Sequence, residues 1–565
     1  MHFVRPVAVA AALAAALAGC AATAPTAPHA AGPVDIHLVA LNDFHGNLEP
    51  TKYTVKPADG SAPRTVQAGG IAVLGGALNT FRKEDPDLLL VAAGDLVGAS
   101  PALSALWADE PSIDALNRLG LVASSLGNHE FDQGGAELLR QQNGGCDSPR
   151  PAKACRIAPD FKGARYTYLA TNVIDRRTGK PLAPGYKIVE SKGVKIGLVG
   201  AVLKGVPQVA MASKVRDFDF LDEADAINAA LPAMRAAGAR VFVVLIHEGG
   251  FAHEAFDQRD CNTLAGPIVG IVKRLDPAIR LVISGHSHTG YLCKVDGRTV
   301  TQADSAGHLL SRITLRVDPA SGSVAGIDVR NVVMDPAVFA PDPGLAGFLD
   351  GVRARSRAEL ERPVARIAGP VAKRENDAGE SALGDVIADA LLAAARGQGA
   401  VIGLVNTGGI RRDLEAGADG TLAFGQAQAI LPFGNTLVVM DLTGAQLATL
   451  IEQQWDRPPQ AEQAQLEISQ GLAYRWDPAQ PRGHRLVPGS LRLDGAPVDP
   501  ARTYRVATNN FLAGGGDGFT VFKDGTRRVE TDIADLDAFI AYLRDHPQTG
   551  AATLAAPPAR IQQVR

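Results

Sequence analysis

The chain has 565 residues, which at roughly 100–200 residues per domain implies three or four domains, or two large ones. Hydrophobic residues make up 46% and charged residues 21%, a balance that excludes wholesale disorder. The formal net charge is −4 and Lys and Arg are spread along the sequence, which argues against binding nucleic acid through a basic face.

The N-terminus reads as an export signal. Arg5 supplies positive charge, and Val7 to Ala18 form an apolar run too short for an ordinary membrane span. The run ends in Leu17-Ala18-Gly19-Cys20, which resembles a bacterial lipobox. That resemblance implies removal of residues 1–19 and acylation of Cys20, a lipid anchor made of several chains. A plain secretory signal with an incidental Cys is the alternative. Ala21, where Asp would favour inner-membrane retention, points to the outer membrane, facing the periplasm. Residues 20–34 are rich in Ala, Pro and Thr and read as a flexible tether. Export favours disulfides among the other four cysteines, and the close pair suggests Cys146–Cys155 with Cys261–Cys293. Four free thiols or a metal site are the alternatives, although no C-x-x-C spacing occurs.

Beyond the tether, apolar runs of strand length alternate with helical periodicity. The runs are Ile36–Leu41, Leu88–Ala93, Lys195–Val202, Val241–Ile246 and Leu281–Ser284. Helices are expected over Ile71–Arg82, Ser112–Leu119, Ala224–Ala236 and Ala265–Leu275. This alternation predicts a layered α/β architecture with polar loops at the strand ends. Residues Thr299–Met334 read as more purely β, Asp335–Pro343 as a Pro-rich boundary, and Leu345–Glu361 as a charged linking helix.

The strand ends carry metal-ligand chemistry. In order they are Asp43-Phe44-His45, Gly94-Asp95, Gly127-Asn128-His129-Glu130 with Asp132, His247-Glu248, and Gly285-His286-Ser287-His288. Asp43 and His45 are two apart, so extended backbone would point them the same way. Five of the twelve His fall in these loops, and imidazole with carboxylate suits Zn, Mn, Fe or Co without selecting one.

The series D-x-H, G-D, G-N-H-E, H-E and G-H-S-H resembles the calcineurin-like dinuclear metallophosphatases. Together with the C-terminal motifs below it is similar to the exported bacterial 5′-nucleotidase and UDP-sugar hydrolase family, over about residues 35–545. The resemblance implies an N-terminal four-layer α/β/β/α metallophosphatase domain and a C-terminal α+β substrate-binding domain. The divisions are a signal at 1–19, a tether at 20–34, the first domain at 35–338, a linker helix at 339–361, the second domain at 362–548 and a tail at 549–565. It implies two divalent metal ions, one held by Asp43, His45, Asp95 and His288, the other by Asp95, Asn128, His247 and His286. It also implies His129, oriented by Asp132, beside the phosphate, where it stabilises charge and protonates the leaving oxygen. His308 is read as lining the site or as structural, and His37 as structural.

In the second half, an apolar strand at Ala400–Val405 leads into Asn406-Thr407-Gly408-Gly409-Ile410-Arg411. Arg411 can pair with a phosphate bidentately. The resemblance implies that Phe433 and Phe511 sandwich a nucleobase, Asp517 binds ribose hydroxyls and Asn406 contacts base or ribose. The family carries an Arg ahead of the following helix. Here Glu380 stands at that position and Arg374 is displaced upstream. Helices are expected at Val386–Ala395 and Gly444–Trp455, and Ala551–Arg565 as a tail without a readable role.

The expected activity is hydrolysis of nucleoside 5′-monophosphates to nucleoside and phosphate, with a metal-bridged hydroxide as nucleophile, by a monomer in the cell envelope. UDP-sugars and 2′,3′-cyclic nucleotides are alternative substrates. A thiosulfohydrolase of the same fold would have no use for paired aromatics. A non-catalytic nucleotide-binding lipoprotein is the alternative of a different class, and it would have no use for His129 with Asp132.

Overall fold

A computed structural model describes residues 32–456, 465–551 and 559–564. The signal at 1–19, the Cys20 anchor and nearly all of the tether lie outside the described residues.

Two six-stranded mixed sheets dominate the N-terminal half. The first runs in the order Val324–Val333, Leu309–Val317, Val34–Leu41, Leu89–Ala93, Leu121–Ser125, Thr167–Leu169. Its last four strands are parallel. The second runs Gly290–Val295, Arg298–Ala303, Ile279–Ser284, Val241–His247, Val194–Val202, Tyr186–Ser191, with the middle four parallel. Side-chain alternation along each strand explains the layering. On the first strand Ile36, Leu38 and Ala40 pack against Val194, Leu198, Val243 and Leu281 between the sheets. Val39 and Leu41 point the other way, towards Leu74, Leu78 and Leu116 of the covering helices. The second sheet buries its outer face, with Val199, Val244 and Val282, under Ile227, Leu231 and Ile268 of helices Glu223–Ala236 and Pro267–Arg274. The result is the expected four layers of helix, sheet, sheet and helix.

The connecting helix, Pro343–Leu360, is capped by Asp342 and lies on the N-terminal half. Trp107 Nε1 donates to Ser356 Oγ at 2.7 Å. A β-carbon at Gly76 would run into the Ala340 carbonyl, so the lack of a side chain there lets the connection lie flat on helix Ile71–Glu84. Both expected disulfides are formed, with Cα separations of 5.5 Å for Cys146–Cys155 and 4.3 Å for Cys261–Cys293.

The C-terminal half is built on a five-stranded sheet, ordered Leu466–Ile468, Ile402–Asn406, Thr503–Asn509, Thr436–Thr443, Thr526–Ala534. Helices Ala382–Ala395 and Asp535–Asp545 pack on it through Leu391, Phe539 and Leu543. The expected tail needs correction. Ile561–Gln563 is a strand paired in parallel with Leu472–Trp476. Arg560 inserts beside it and donates to both carboxylate oxygens of Asp389 at 2.9 Å. Asp385 lies 3.5 Å away, and the Arg560 amide donates to Glu380. The Ala/Pro-rich composition conceals this because one Arg and one Ile carry the docking.

Removing Arg560 would leave the acids Asp385 and Asp389 without their shared counter-ion in a largely buried place. Arg560→Ala is expected to destabilise the C-terminal half by about 3 kcal/mol, read as a lowered denaturant midpoint. Asp535 supplies a pH effect. Burial pushes its carboxyl up from 3.8 to about 7. A raised folded-state value means that this contribution to stability is full below about pH 4 and is lost as pH rises through 7. Asp385, raised to about 7 chiefly by burial, adds in the same sense. Asp535→Asn should flatten the fall in urea midpoint between pH 4 and 8.

Candidate active site

Parallel strands end together, and open α/β sheets bind ligands at those carboxyl ends. Both sheets deliver polar loops to one point. Asp43 and His45 follow Leu41, Asp95 follows Ala93, Asn128 follows the strand ending at Ser125, and His247 closes its own strand. His286 and His288 follow Ser284. Backbone strain marks the same point, since Asp43, His45, Asp95, His286 and His288 all adopt positive φ, between 45° and 76°.

The side chains converge in two groups sharing Asp95. Donor atoms of Asp43, His45, Asp95 and His288 lie within 4.8 Å of one another, and so do those of Asp95, His247 and His286. Asp43, His45, Asp95, Asn128 and His247 are buried. Their hydrogen bonding decides what they can hold. His247 Nδ1 bonds the Ala93 carbonyl at 2.8 Å, so that nitrogen carries the proton. Its Nε2 then aims a lone pair at two acceptors, Asp95 Oδ2 at 3.0 Å and Asn128 Oδ1 at 3.1 Å. His45 repeats the pattern, with Nδ1 on the Gly98 carbonyl at 3.0 Å and Nε2 facing His288 Nε2 at 3.1 Å. Buried lone pairs that face each other call for positive charge between them, so the donor set fits divalent metal ions.

The electrostatics agree. Burial opposes ionisation of Asp95, but His247 and His129 hold its carboxyl well below the usual range. Burial would lower His247, yet Asp95 raises it to about 10, so a proton can take the cation's place there. Burial keeps His45 well below its ordinary value and, with His247, takes His286 down to about 3.

A supporting shell was not assigned from sequence. Asn42 donates to Asp43 Oδ2 at 2.7 Å and to the Asp304 carbonyl at 2.6 Å, fixing the carboxylate. Buried Glu130 accepts from the amides of Asp95, Leu96 and Gly127 at 2.6–3.0 Å and so pins two ligand loops together. The signal was its place in Gly127-Asn128-His129-Glu130, where an acid that is no ligand still needs partners. Asn47 holds the Phe44 and His45 carbonyls and accepts from Arg412 of the C-terminal half at 3.2 Å.

His129 is held as expected, with Nδ1 at 3.0 and 2.9 Å from the two Asp132 oxygens. Burial would lower its pKa, but Asp132 and Asp95 outweigh this and raise it. The C-terminal half closes over it. Phe433 stacks on the His129 ring with centroids 5.5 Å apart, and the Arg411 guanidinium lies 5.9 Å from the Phe433 centroid. A cavity of about 290 Å³ is lined by Asp95, Asn128, His129, Asp132, His286 and His288 on one side and by Asn406, Arg411, Phe433, Phe511 and Asp517 on the other. Asn406 donates to Asp517 Oδ2 at 2.7 Å, and Asn509 donates to Asn406 Oδ1 at 3.2 Å. Asp43, His45 and His247 are not on the cavity wall.

Four residues fall elsewhere. Arg374 is exposed and Glu380 is buried against Arg560, and neither lines the cavity. His308 bonds Thr51 at 2.6 Å and stacks on Tyr53, which makes it structural. His37, bonded to Asp85 at 2.5 Å, is structural as expected.

Asn42→Ala is expected to weaken metal affinity by roughly 10–100-fold, measured by competition with a chelator, while far-UV circular dichroism stays unchanged.

Comparison with known proteins agrees with this geometry. The family model for calcineurin-like phosphoesterases matches residues 36–290, and that for the 5′-nucleotidase C-terminal domain matches residues 363–524. A cell wall protein of Listeria monocytogenes is 31% identical, over 94% of this chain and 69% of its own length. The endonuclease YhcR of Bacillus subtilis is 26% identical over 94% of this chain, which spans only 41% of that relative. Among solved structures, a 5′-nucleotidase precursor from Thermus thermophilus superposes with a TM-score of 0.74 at 26% identity, covering 94% of this chain and 99% of its own. The chain belongs to the calcineurin-like metallophosphoesterases that carry a 5′-nucleotidase C-terminal domain.

Proposed function

We propose that the chain is a nucleotidase that hydrolyses nucleoside 5′-monophosphates to nucleoside and phosphate. The observation that carries this reading is the shared cavity, in which the metal-ligand set of one half faces Asn406, Arg411, Phe433, Phe511 and Asp517 of the other. Two divalent ions are the proposed cofactor, the first on Asp43, His45, Asp95 and His288 and the second on Asp95, Asn128, His247 and His286. Such ions supply Lewis-acid polarisation of a phosphoryl oxygen and a nucleophile active near neutral pH.

The chain's own residues do the rest. Asp132 occupies His129 Nδ1, which leaves Nε2 to hold a proton for the leaving oxygen. Arg411 pairs with phosphoryl oxygens through its planar fork. Phe433 and Phe511 offer flat apolar faces to a base, and Asp517, set by Asn406, accepts from ribose hydroxyls. The aromatic faces do not select one base, so tolerance of base identity is expected. UDP-sugars or cyclic nucleotides on the same ions form the second reading, and the endonuclease name of one relative favours the diester among them.

An exported, Cys20-anchored, monomeric form acting in the cell envelope is part of the proposal. The cell-wall relative and the two disulfides support export. Among the described residues no helix is long and apolar enough to cross a membrane.

Hydrolysis of AMP, UDP-glucose and a 2′,3′-cyclic nucleotide tests this, read as inorganic phosphate from AMP and as released phosphomonoesters from the other two. Metal-replete protein should release phosphate from AMP, and chelator or Asp95→Ala should abolish it. His129→Ala should lower kcat by about 10²–10⁴-fold with metal content retained. Release from none of the three substrates would defeat the reading.

A further inference from the structure

We infer that Arg412 and Gln428 of the C-terminal half are positioning residues for the proposed metal ligand His45, so that nucleoside binding and metal binding strengthen each other. The inference rests on the two-ion and nucleoside readings above and adds the linkage between them.

His45 is a ligand that must be held. Its backbone φ is 45°, a left-handed conformation that a residue with a β-carbon adopts only when its surroundings impose it. Two contacts do so. The Gly98 carbonyl pairs with Nδ1 at 3.0 Å and sets the ring. Asn47 Nδ2 donates to the Phe44 carbonyl at 2.8 Å and to the His45 carbonyl at 3.1 Å and sets the turn. Asn47 and His45 are both buried, so a lost contact leaves a buried polar atom unpaired.

The C-terminal half lands on both supports. Arg412 donates to Asn47 Oδ1 at 3.2 Å. With its nitrogen on two carbonyls and its oxygen on a guanidinium, the Asn47 amide has one orientation. The charged donor also polarises the amide and strengthens its N–H groups. On the other side, Gln428 Nε2 donates to the Ser100 carbonyl at 3.4 Å. Ser100 Oγ shares the Gly98 carbonyl with His45, at 3.5 Å. Ser100 packs on the turn as well, since a β-carbon at Gly46 would meet its Oγ. Arg412 follows directly on Arg411, whose amide donates to the carbonyl of Ile430 in the helix that carries Gln428. Both contacts therefore come from one substrate-facing unit.

The linkage follows from populations. With the halves apart, the supports lose Arg412 and Gln428, and the His45 turn keeps its ligating conformation for only a fraction of the time. Affinity for the ion falls by that fraction. A nucleoside in the cavity lies against Met211 and Phe251 of one half and Phe433 and Phe511 of the other, so it favours the seated arrangement. Linkage is reciprocal, and the ion favours the nucleoside by the same factor. The effect falls on one ion. His45 groups with Asp43, Asp95 and His288, whereas Asn128, His247 and His286 stand on loops to which neither Arg412 nor Gln428 is bonded.

The test uses zinc as the probe ion and adenosine, which has no phosphoryl group to touch the ions. Zinc affinity of the full chain is read by competition with a chelator. Saturating adenosine should tighten one of the two zinc ions of the wild type roughly fivefold or more and leave the other within about twofold. Arg412→Ala should abolish the gain, Gln428→Ala should reduce it, and Arg412→Lys should keep part of it. Should Arg412→Ala fail to fold, Arg412→Met, which keeps the stem of the side chain, is read in its place. Adding Arg412→Ala to Asn47→Ala should cost no further zinc affinity, because the first acts through the second, and additive losses overturn the positioning role. Bound adenosine without a change in zinc affinity, or a gain that survives Arg412→Ala, overturns the linkage and leaves the metal and nucleotidase readings standing. Wild type that binds no zinc, or no adenosine by calorimetry, overturns the metal or the nucleoside reading together with the linkage.

Discussion

His247 Nε2 lies within 3.1 Å of two oxygen acceptors while its other nitrogen is committed to the Ala93 carbonyl. Such an arrangement is repulsive unless positive charge sits in it. The rest of the structure depends on that constraint. Ligands come from the ends of strands in both sheets, so the sheets must pack face to face with their carboxyl ends aligned. Buried Glu130 and Asn42 then hold the loops in left-handed backbone conformations that these side chains would not choose alone. The unfolded chain lacks this focus of donors, so metal binding and folding of the loops are linked.

The second constraint is that the candidate metal ligands and the residues facing them sit on different halves. The former lie at strand ends of the two N-terminal sheets, whereas Asn406, Phe433, Phe511 and Asp517 lie at or beyond element ends of the C-terminal half. Contacts between them include the Phe433 ring on His129, Arg412 on Asn47, and Gln428 on the Ser100 carbonyl at 3.4 Å. A cleft between two halves suits a site that must admit a substrate and then exclude water. The interdomain residues bear directly on the catalytic ones, since Phe433 covers the imidazole that Asp132 orients.

Much of this was legible in the chain. Apolar runs ending in Asp, Asn or His marked the strand ends, because a buried parallel strand must be apolar and its exit loop need not be. The five His and their acids could be ordered without any coordinates. What misled was composition. The C-terminal segment looked like a tail because Ala and Pro dominate it, yet Arg560 and the strand Ile561–Gln563 dock its end. Arg374, displaced upstream of the position where the family carries an Arg, is exposed and away from the cavity. A displacement of a few residues before a helix is a matter of angle as well as distance, and spacing carries no angle.

The sequence by itself determined the layered architecture and marked the residues that converge at the strand ends, including the His129–Asp132 pair, because these follow from residue type and motif order. Only the tertiary structure decided which nitrogen of His45 and of His247 is free, because that depends on a carbonyl brought in from another segment. It also decided that Asn42, Glu130 and Asn47 support the loops. Pairing between distant segments is fixed by packing, and packing leaves no trace in local pattern.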